Sequence, residues 1–341
     1  MRDLTVLLTA SGVPGSAALM RALRKNGERE IRIVGTDMSE QAIGRHLADS
    51  FHVTPAGTDP GFVDALVDIA EREGVDAVLP QSSFELLALA EGKDRFGDAV
   101  VLVTSPDAVR RSNDKAETYA LLDEIGVRGP AWRRVRGGGE VARAAEELGY
   151  PERDVAFKPL ESSGSRGFRV VSASVDRRDQ LLNERPGALA MRLEDVTALL
   201  PDDRPELLVM ELATGKERTI DGIAETGEIV LGHPKTRESM RAGLAMYFET
   251  LDDPGLMETA SRIVAALDLD HFFNIQLVGE HVIEINPRIS TIVYQEDLNI
   301  PYLGLKHALG EISREELASY AARVRPTRRT LRYFDQVDWD E

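Results

Sequence analysis

The sequence predicts a chain of mixed α/β and α+β class: a Rossmann-like N-terminal domain followed by a largely antiparallel region with a mobile lid. Three observations carry this. The first hundred residues alternate short apolar runs with helical patterns, the rhythm of a parallel sheet with crossover helices. From about residue 150 the rhythm changes to strand pairs separated by short turns. At 341 residues the chain is long enough for two or three packed units.

In the N-terminal part, "LTVLLTA", "EIRIVGTD", "VDAVLPQ" and "AVVLVTS" alternate with "GSAALMRALRKNG", "GFVDALVDIAEREG" and "FELLALAEGKDRFG". Gly12 and Gly15 follow the first strand and Asp37 ends the second, the layout of a dinucleotide site. "SGVPGS" nevertheless lacks the full G-x-G-x-x-G, and Pro14 sits inside the turn. A structural or substrate-facing turn is expected there. An NAD(P)-dependent oxidoreductase, or a non-catalytic nucleotide-binding protein built on this unit, is the alternative function. A G-x-x-x-x-G-K-[ST] loop occurs nowhere.

"SPDAVRRSNDKAETYALLDEIGVRGPAW" reads as helical, with Asn113 or Asp114 as its start signal and Gly126 and Pro130 as stops. "GGG" at 137 to 139 reads as a flexible joint. The strands "DVAFKPL", "GFRVVSA", "ELLVMELA", "ERTIDGIAE", "EIVLGHP", "FFNIQLV" and "HVIEINP" then suggest an antiparallel sheet, with "LMETASRIVAALDL" as a helix on one face. No internal repeat is found. The expected domains are 1–105, 106–210 and 211–320, with 321–341 as a C-terminal tail.

Composition narrows the class. Hydrophobic content of 43% and charged content of 29% are globular values, and the apolar runs are too short to span a bilayer, so a cytoplasmic protein is expected. A net charge of -17 argues against a nucleic-acid partner. With no cysteine, any metal must be held by oxygen or histidine. The basic run "RVRPTRRTLR" is expected to be solvated or packed within the chain.

Two segments hold the polar groups. "FKPLESSGSRGFRVV" places Lys158 on a strand before a loop of small residues, Ser162, Ser163, Gly164, Ser165 and Gly167, whose backbone N–H groups can approach an anion. An ordinary hairpin with a solvated lysine is the plainer alternative. In "FFNIQLVGEHVIEINPRIS", Asn274 and Gln276 share one face of their strand, and Glu284 and Asn286 share one face of the next. A two-residue turn at Gly279-Glu280 would pair Gln276 with Ile283. A three-residue loop, Gly279-Glu280-His281, pairs Gln276 with Glu284 and Asn274 with Asn286. That register gathers one carboxylate and three amides, which suits Mg²⁺ brought in on a nucleotide, with a metal-free hydrogen-bond network as the alternative.

These segments, with "NDKAETYALLDEIGVRGP" and "LLVMELATGKERTIDGIA", resemble the ATP-grasp superfamily, in order and approximate spacing, and look most like its carbamoyl-phosphate-synthetase-like branch. The resemblance runs from the N-terminal domain, a pre-ATP-grasp domain, to about residue 310. It implies ATP and Mg²⁺ or Mn²⁺ as cofactors. Lys115 and Lys158 resemble the phosphate-contacting basic residues and 162–167 the lid. By the same resemblance, Glu211 and Ala213 match the hinge strand against the adenine, Glu217 the residue at the ribose, and Gln276, Glu284 and Asn286 the metal-bearing set. Arg288 resembles the arginine that meets the transferring phosphate.

His233 is expected to pack or to contact nucleotide, and Arg237 or Arg241 to face the substrate carboxylate. Ser11, Gly12, Gln81, Ser82, Ser83 and Glu85, at carboxyl ends of parallel strands, are candidates for substrate specificity. A second tandem module and an A-M-K-M motif are missing from the sequence. The implied activity is therefore a stand-alone carboxylate–amine ligase that proceeds through an acyl phosphate. Its partners would be a small carboxylate and a small amine, with no membrane, and a homodimer is compatible with that reading.

Overall fold

The structure, a computed structural model, describes residues 1–160, 167–184, 189–200, 206–241, 244–289, 297–333 and 335–339. Two compact units share the chain. The first is Met1–Ser112, Glu217–Gln276 and Ile285–Glu341, and the second is Asn113–Lys216 and Leu277–Glu284.

The first unit opens with β1 (Leu4–Leu8), β2 (Ile31–Asp37), β3 (Ser50–Val53), β4 (Ala77–Leu79) and β5 (Val100–Val101), a parallel sheet in the order β3-β2-β1-β4-β5. Alternation along β1 explains its unbroken apolar run. Val6 and Leu8 pack with Leu19 and Leu23 of the helix Ser16–Arg24, whereas Leu7 packs with Leu66 of the helix Phe62–Glu73. Burying each such leucine is worth about 1.5–3 kcal/mol.

In the second unit, β6 (Trp132–Val135), β7 (Val155–Pro159), β8 (Arg169–Val171), β9 (Ala190–Met191) and β10 (Leu207–Glu211) form a sheet in the order β6-β10-β7-β8-β9. It is antiparallel except for the β8–β9 pair, which is parallel. The helix Lys115–Glu124 starts at Asp114, whose carboxylate accepts from the backbone N–H of Ala116 and Glu117 at 2.7 and 3.1 Å. The "GGG" segment is not a joint but the first turn of the helix Gly137–Glu147. Gly138 serves close packing: a Cβ there would lie 2.5 Å from the carbonyl oxygen of Thr197 in the helix Leu193–Leu199.

The chain continues with β11 (Glu217–Glu225), β12 (Glu228–Thr236), β13 (Glu238–Arg241), β14 (Leu244–Glu249), β15 (His271–Val278), β16 (His281–Asn286) and β17 (Arg329–Leu331). One sheet runs β12-β11-β15-β16 and another β13-β14-β17. Asp253 caps the helix Pro254–Leu267 through Leu256 N at 2.9 Å. Residues 329–331 therefore belong to a sheet, although the sequence reading placed them in a tail. The basic run packs within the chain, with Arg325 and Arg328 both on Asp297 and Arg329 on Glu249.

Candidate active site

The second unit collects two predicted lysines around one helix face. Lys115 begins the helix Lys115–Glu124, is 4% exposed, and lies 3.3 Å from Glu284 Oε1 on β16. Lys158 on β7 is 8% exposed and donates to the hydroxyl of Tyr119 at 3.0 Å. Burial pushes the Lys158 ammonium down to about 8, with Glu284 pulling the other way. Two ammonium groups and one carboxylate thus stand in a poorly hydrated corner, an arrangement that suits a polyanion.

Glu211 ends β10 opposite Val155. Its Oε2 accepts from Ala131 N at 3.4 Å and lies 3.8 Å from His281 Nε2. Arg128 Nε donates to that same histidine nitrogen at 3.0 Å, so the nitrogen is an acceptor and Glu211 a neighbour rather than an ion-pair partner. Ala213 follows β10 and is half-buried. Gly167 is exposed at φ 73°, and Ser162, Ser163, Gly164 and Ser165 lie outside the described residues.

In the first unit the amides converge on Asn274. Its Oδ1 accepts from Gln276 Nε2 at 2.9 Å and from Asn286 Nδ2 at 3.2 Å. Its Nδ2 donates to Thr219 Oγ1 at 2.7 Å and to Asp221 Oδ1 at 2.9 Å. Asp221 in turn ion-pairs with Lys235, which is 1% exposed. With their NH₂ groups committed to Asn274, Gln276 and Asn286 turn their carbonyl oxygens away from it, as an oxygen-liganded cation would need. Among the described residues no three His, Asp or Glu cluster as a metal cage. The two amide oxygens suit a cation that arrives with phosphate oxygens.

The turn between β15 and β16 is Gly279 and Glu280, with His281 already in the strand, so the expected three-residue loop is not formed. Gly279, at φ 56°, takes the left-handed conformation that makes the short turn possible. The expected neighbourhood of Asn274 and Asn286 is present nonetheless.

Other predicted residues divide. Glu217 pairs with Arg237 at 3.1 Å, and Arg237 is buried, whereas Arg241 is exposed on β13. His233 is fully buried, with its Nε2 3.4 Å from Thr250 Oγ1, and burial pushes it down to about 3. It is a packed, neutral imidazole. Arg288 Nε donates to Ser83 Oγ at 3.2 Å, which places this arginine beside one of the proposed specificity residues.

Three of those specificity candidates are structural instead. Ser11 is fully buried against Gly44, where an added methyl group would strike it. Glu85 is buried and accepts from Thr9 and from the backbone N–H of Gln81 and Ser82, while the Gln81 amide donates to Thr9 O and Ser16 Oγ. The polarity of Glu85 and Gln81 knits strand ends together. At the glycine turn, Gly12 N donates to Asp37 Oδ2 at 2.8 Å, and the other oxygen takes Ser39 N at 2.9 Å. A carboxylate already occupies the N–H that a pyrophosphate would need, which disfavours a dinucleotide there.

Sequence reasoning missed Tyr119, Thr219 and Asp221, and it took Lys235 for a possible carboxylate-binding cation, whereas Lys235 pairs with Asp221. A charge inside a strand otherwise buried, as in "ERTIDGIAE", was the available signal.

Two family models match the chain: ATP-grasp in the biosynthetic pathway with Ter operon, over residues 203–330, and the PylC-like N-terminal domain, over 6–104. The arginine-specific carbamoyl phosphate synthase large chain of Bacillus subtilis is 28% identical, covering 72% of this chain and 23% of that one. The C-terminal section of the Aquifex aeolicus large chain is 25% identical, covering 78% and 50%. The chain thus spans a half or less of the length of these curated relatives. Its fold is shared with an L-amino acid ligase from Bacillus licheniformis, at TM-score 0.64 and 14% identity over 96% of this chain and 78% of that one. A biotin carboxylase from Campylobacter jejuni gives TM-score 0.62 and 19% identity, with 92% and 73% covered. The two matching models and the synthase relatives together support an ATP-grasp, carbamoyl-phosphate-synthetase-like protein.

Proposed function

We propose that the protein is an ATP-dependent ligase that joins a carboxylate to an amine with release of ADP and phosphate. The carboxylate oxygen attacks the γ-phosphorus and ADP leaves, giving an acyl phosphate. The amine then attacks the acyl carbon, loses a proton, and phosphate departs. Both steps ask the protein for positioning and charge neutralisation rather than a nucleophile, which a chain without cysteine can supply.

The observation that carries this reading is the pair of buried lysines, Lys115 and Lys158, grouped with Glu284 in one unit. Lys115 and Lys158 would take the nucleotide phosphates, and Glu211, Ala213 and Glu217 the nucleoside. Gln276, Glu284 and Asn286 would hold Mg²⁺, which when bound neutralises phosphate charge. Arg288, with Ser83 beside it, would meet the transferring phosphoryl group, and Arg237 and Arg241 the carboxylate. The acceptors are small molecules. Among the described residues no helix is long and apolar enough to cross a membrane.

A thermal-shift comparison of Mg·ATP, ATP with chelator and NAD(P) tests the nucleotide, since a ligand at 100 times its dissociation constant adds about 2.7 kcal/mol. Stabilisation by Mg·ATP that disappears in Lys158→Ala is expected, followed by ADP release only when a carboxylate and an amine are both supplied. Stabilisation by NAD(P) alone would overturn the reading.

A further inference from the structure

We propose that Tyr119 is a positioning residue for Lys158, its hydroxyl fixing where the ammonium stands for the nucleotide phosphates. The proposal rests on the ligase reading above and concerns a residue that acts through another.

Lys115 and Tyr119 are four residues apart on the helix Lys115–Glu124 and so share a face. From that face Lys115 reaches Glu284 on β16 at 3.3 Å, and Tyr119 reaches both β7 and β16. The Tyr119 hydroxyl donates its only proton to the main-chain carbonyl of Ile283 at 3.1 Å, next to Glu284. Its lone pairs are left to accept from Lys158 Nζ at 3.0 Å. The ammonium also stands 5.2 Å from the centre of the tyrosine ring.

The direction of this chain of bonds matters. A hydroxyl in water rotates freely, but one that is 1% exposed and committed to a fixed carbonyl presents its oxygen in one direction. Lysine has a long flexible stem, and binding a phosphate would otherwise cost the ordering of that stem. Tyr119 orders it in advance. A tyrosine that merely filled space would need no hydroxyl here, and its loss would not distinguish phosphates from the rest of the nucleotide.

The test uses the full chain as Tyr119→Phe, Lys158→Met and the double variant, with ATP and adenosine binding followed by calorimetry and the Michaelis parameters by ADP release. In Tyr119→Phe, ATP affinity is expected to fall about tenfold, the scale of a hydrogen bond to a charged group. Adenosine affinity should stay unchanged, and KM for ATP should rise more than kcat falls. The double variant should bind ATP no more weakly than Lys158→Met alone, because the two residues act as one.

Losses that add in the double variant, ATP affinity equal to wild type in Tyr119→Phe, or an equal fall in adenosine affinity would each overturn the proposal. A wild-type chain that binds no ATP would overturn the ligase reading and this one with it. If Tyr119→Phe does not fold, Tyr119→4-aminophenylalanine keeps the ring and the donation to Ile283 while offering Lys158 a poorer acceptor. The same selective loss of ATP affinity is then expected.

Discussion

Asn274 and Asp221 are joined by a 2.9 Å hydrogen bond from Nδ2 to Oδ1, and the second Asp221 oxygen takes the ammonium of buried Lys235. Asp221→Asn would take from that ammonium the carboxylate it pairs with. Breaking a buried pair from one side costs about 3–5 kcal/mol, whereas Asp221→Asn with Lys235→Met should recover much of it. Urea melts of the three variants check this. A single variant within about 1 kcal/mol of wild type would show that Lys235 is compensated elsewhere.

Nucleotide affinity should depend on pH through Lys158. Its folded value of about 8 lies below the ordinary lysine value, so the ammonium that attracts phosphate is mostly present a unit below that value, half present at it, and lost above it. ATP affinity should be level from pH 6.5 to 7.5 and fall by up to about tenfold per unit above 8. Lys158→Met should lack that limb. In the ligand-free protein the sign reverses: the unfolded chain holds the proton longer, so stability rises as pH passes from about 8 toward the ordinary lysine value. Calorimetric titrations across this range check both statements.

His233 should make the fold acid-sensitive. Its folded value of about 3 is depressed by burial, so the unfolded chain takes a proton first as pH falls below about 6.5. Its contribution to stability is level above that point and declines down to about pH 3, by on the order of 3 kcal/mol at pH 4. His233→Gln should show a flatter urea midpoint between pH 6.5 and 4.

Glu284→Ala should abolish ADP release and weaken Mn²⁺ binding in the presence of ATP, read by electron paramagnetic resonance. It also leaves Lys115, 4% exposed, without the carboxylate 3.3 Å away. A stability loss of about 1–3 kcal/mol should therefore accompany the loss of activity. Glu284→Ala with wild-type turnover would remove Glu284 from the metal set.

Gly138 and Gly139 should respond in opposite ways to alanine. A methyl group on Gly138 would press on the backbone of Thr197, costing about 1–3 kcal/mol, whereas Gly139 faces open space and should gain up to about 1 kcal/mol in helix propensity. Thermal melts of the two variants separate these outcomes.

The fold was legible where a period was long and regular. β1, β2, β4 and β5 are apolar runs between helical patterns, and burial on both faces leaves such strands little choice, whereas β3, half-buried to exposed, was not read as a strand. Lys158, Gln276, Glu284 and Asn286 stood out in the sequence because polar groups interrupt apolar strands, whereas Lys115 was singled out by the family resemblance alone. Tyr119 was not, since an aromatic residue in a helix reads as core until the partner of its hydroxyl is known. Gln81 and Glu85 misled for the converse reason: a polar residue at a strand end serves a ligand or its own backbone equally well by sequence. The glycine triplet misled because glycine reports both freedom and close approach, and only the neighbouring helix decides between them.

The pairing of β17 with β14 bears on how the protein should be handled. Truncation before Arg329 would bare the hydrogen-bonding edge of β14, an invitation to intermolecular strand addition. Trp339 adds a further anchor by stacking on His46 at 3.8 Å. A purification tag is therefore better fused to the N-terminus, and a shortened chain that precipitates should first be restored through Trp339 before its insolubility is blamed on the active site.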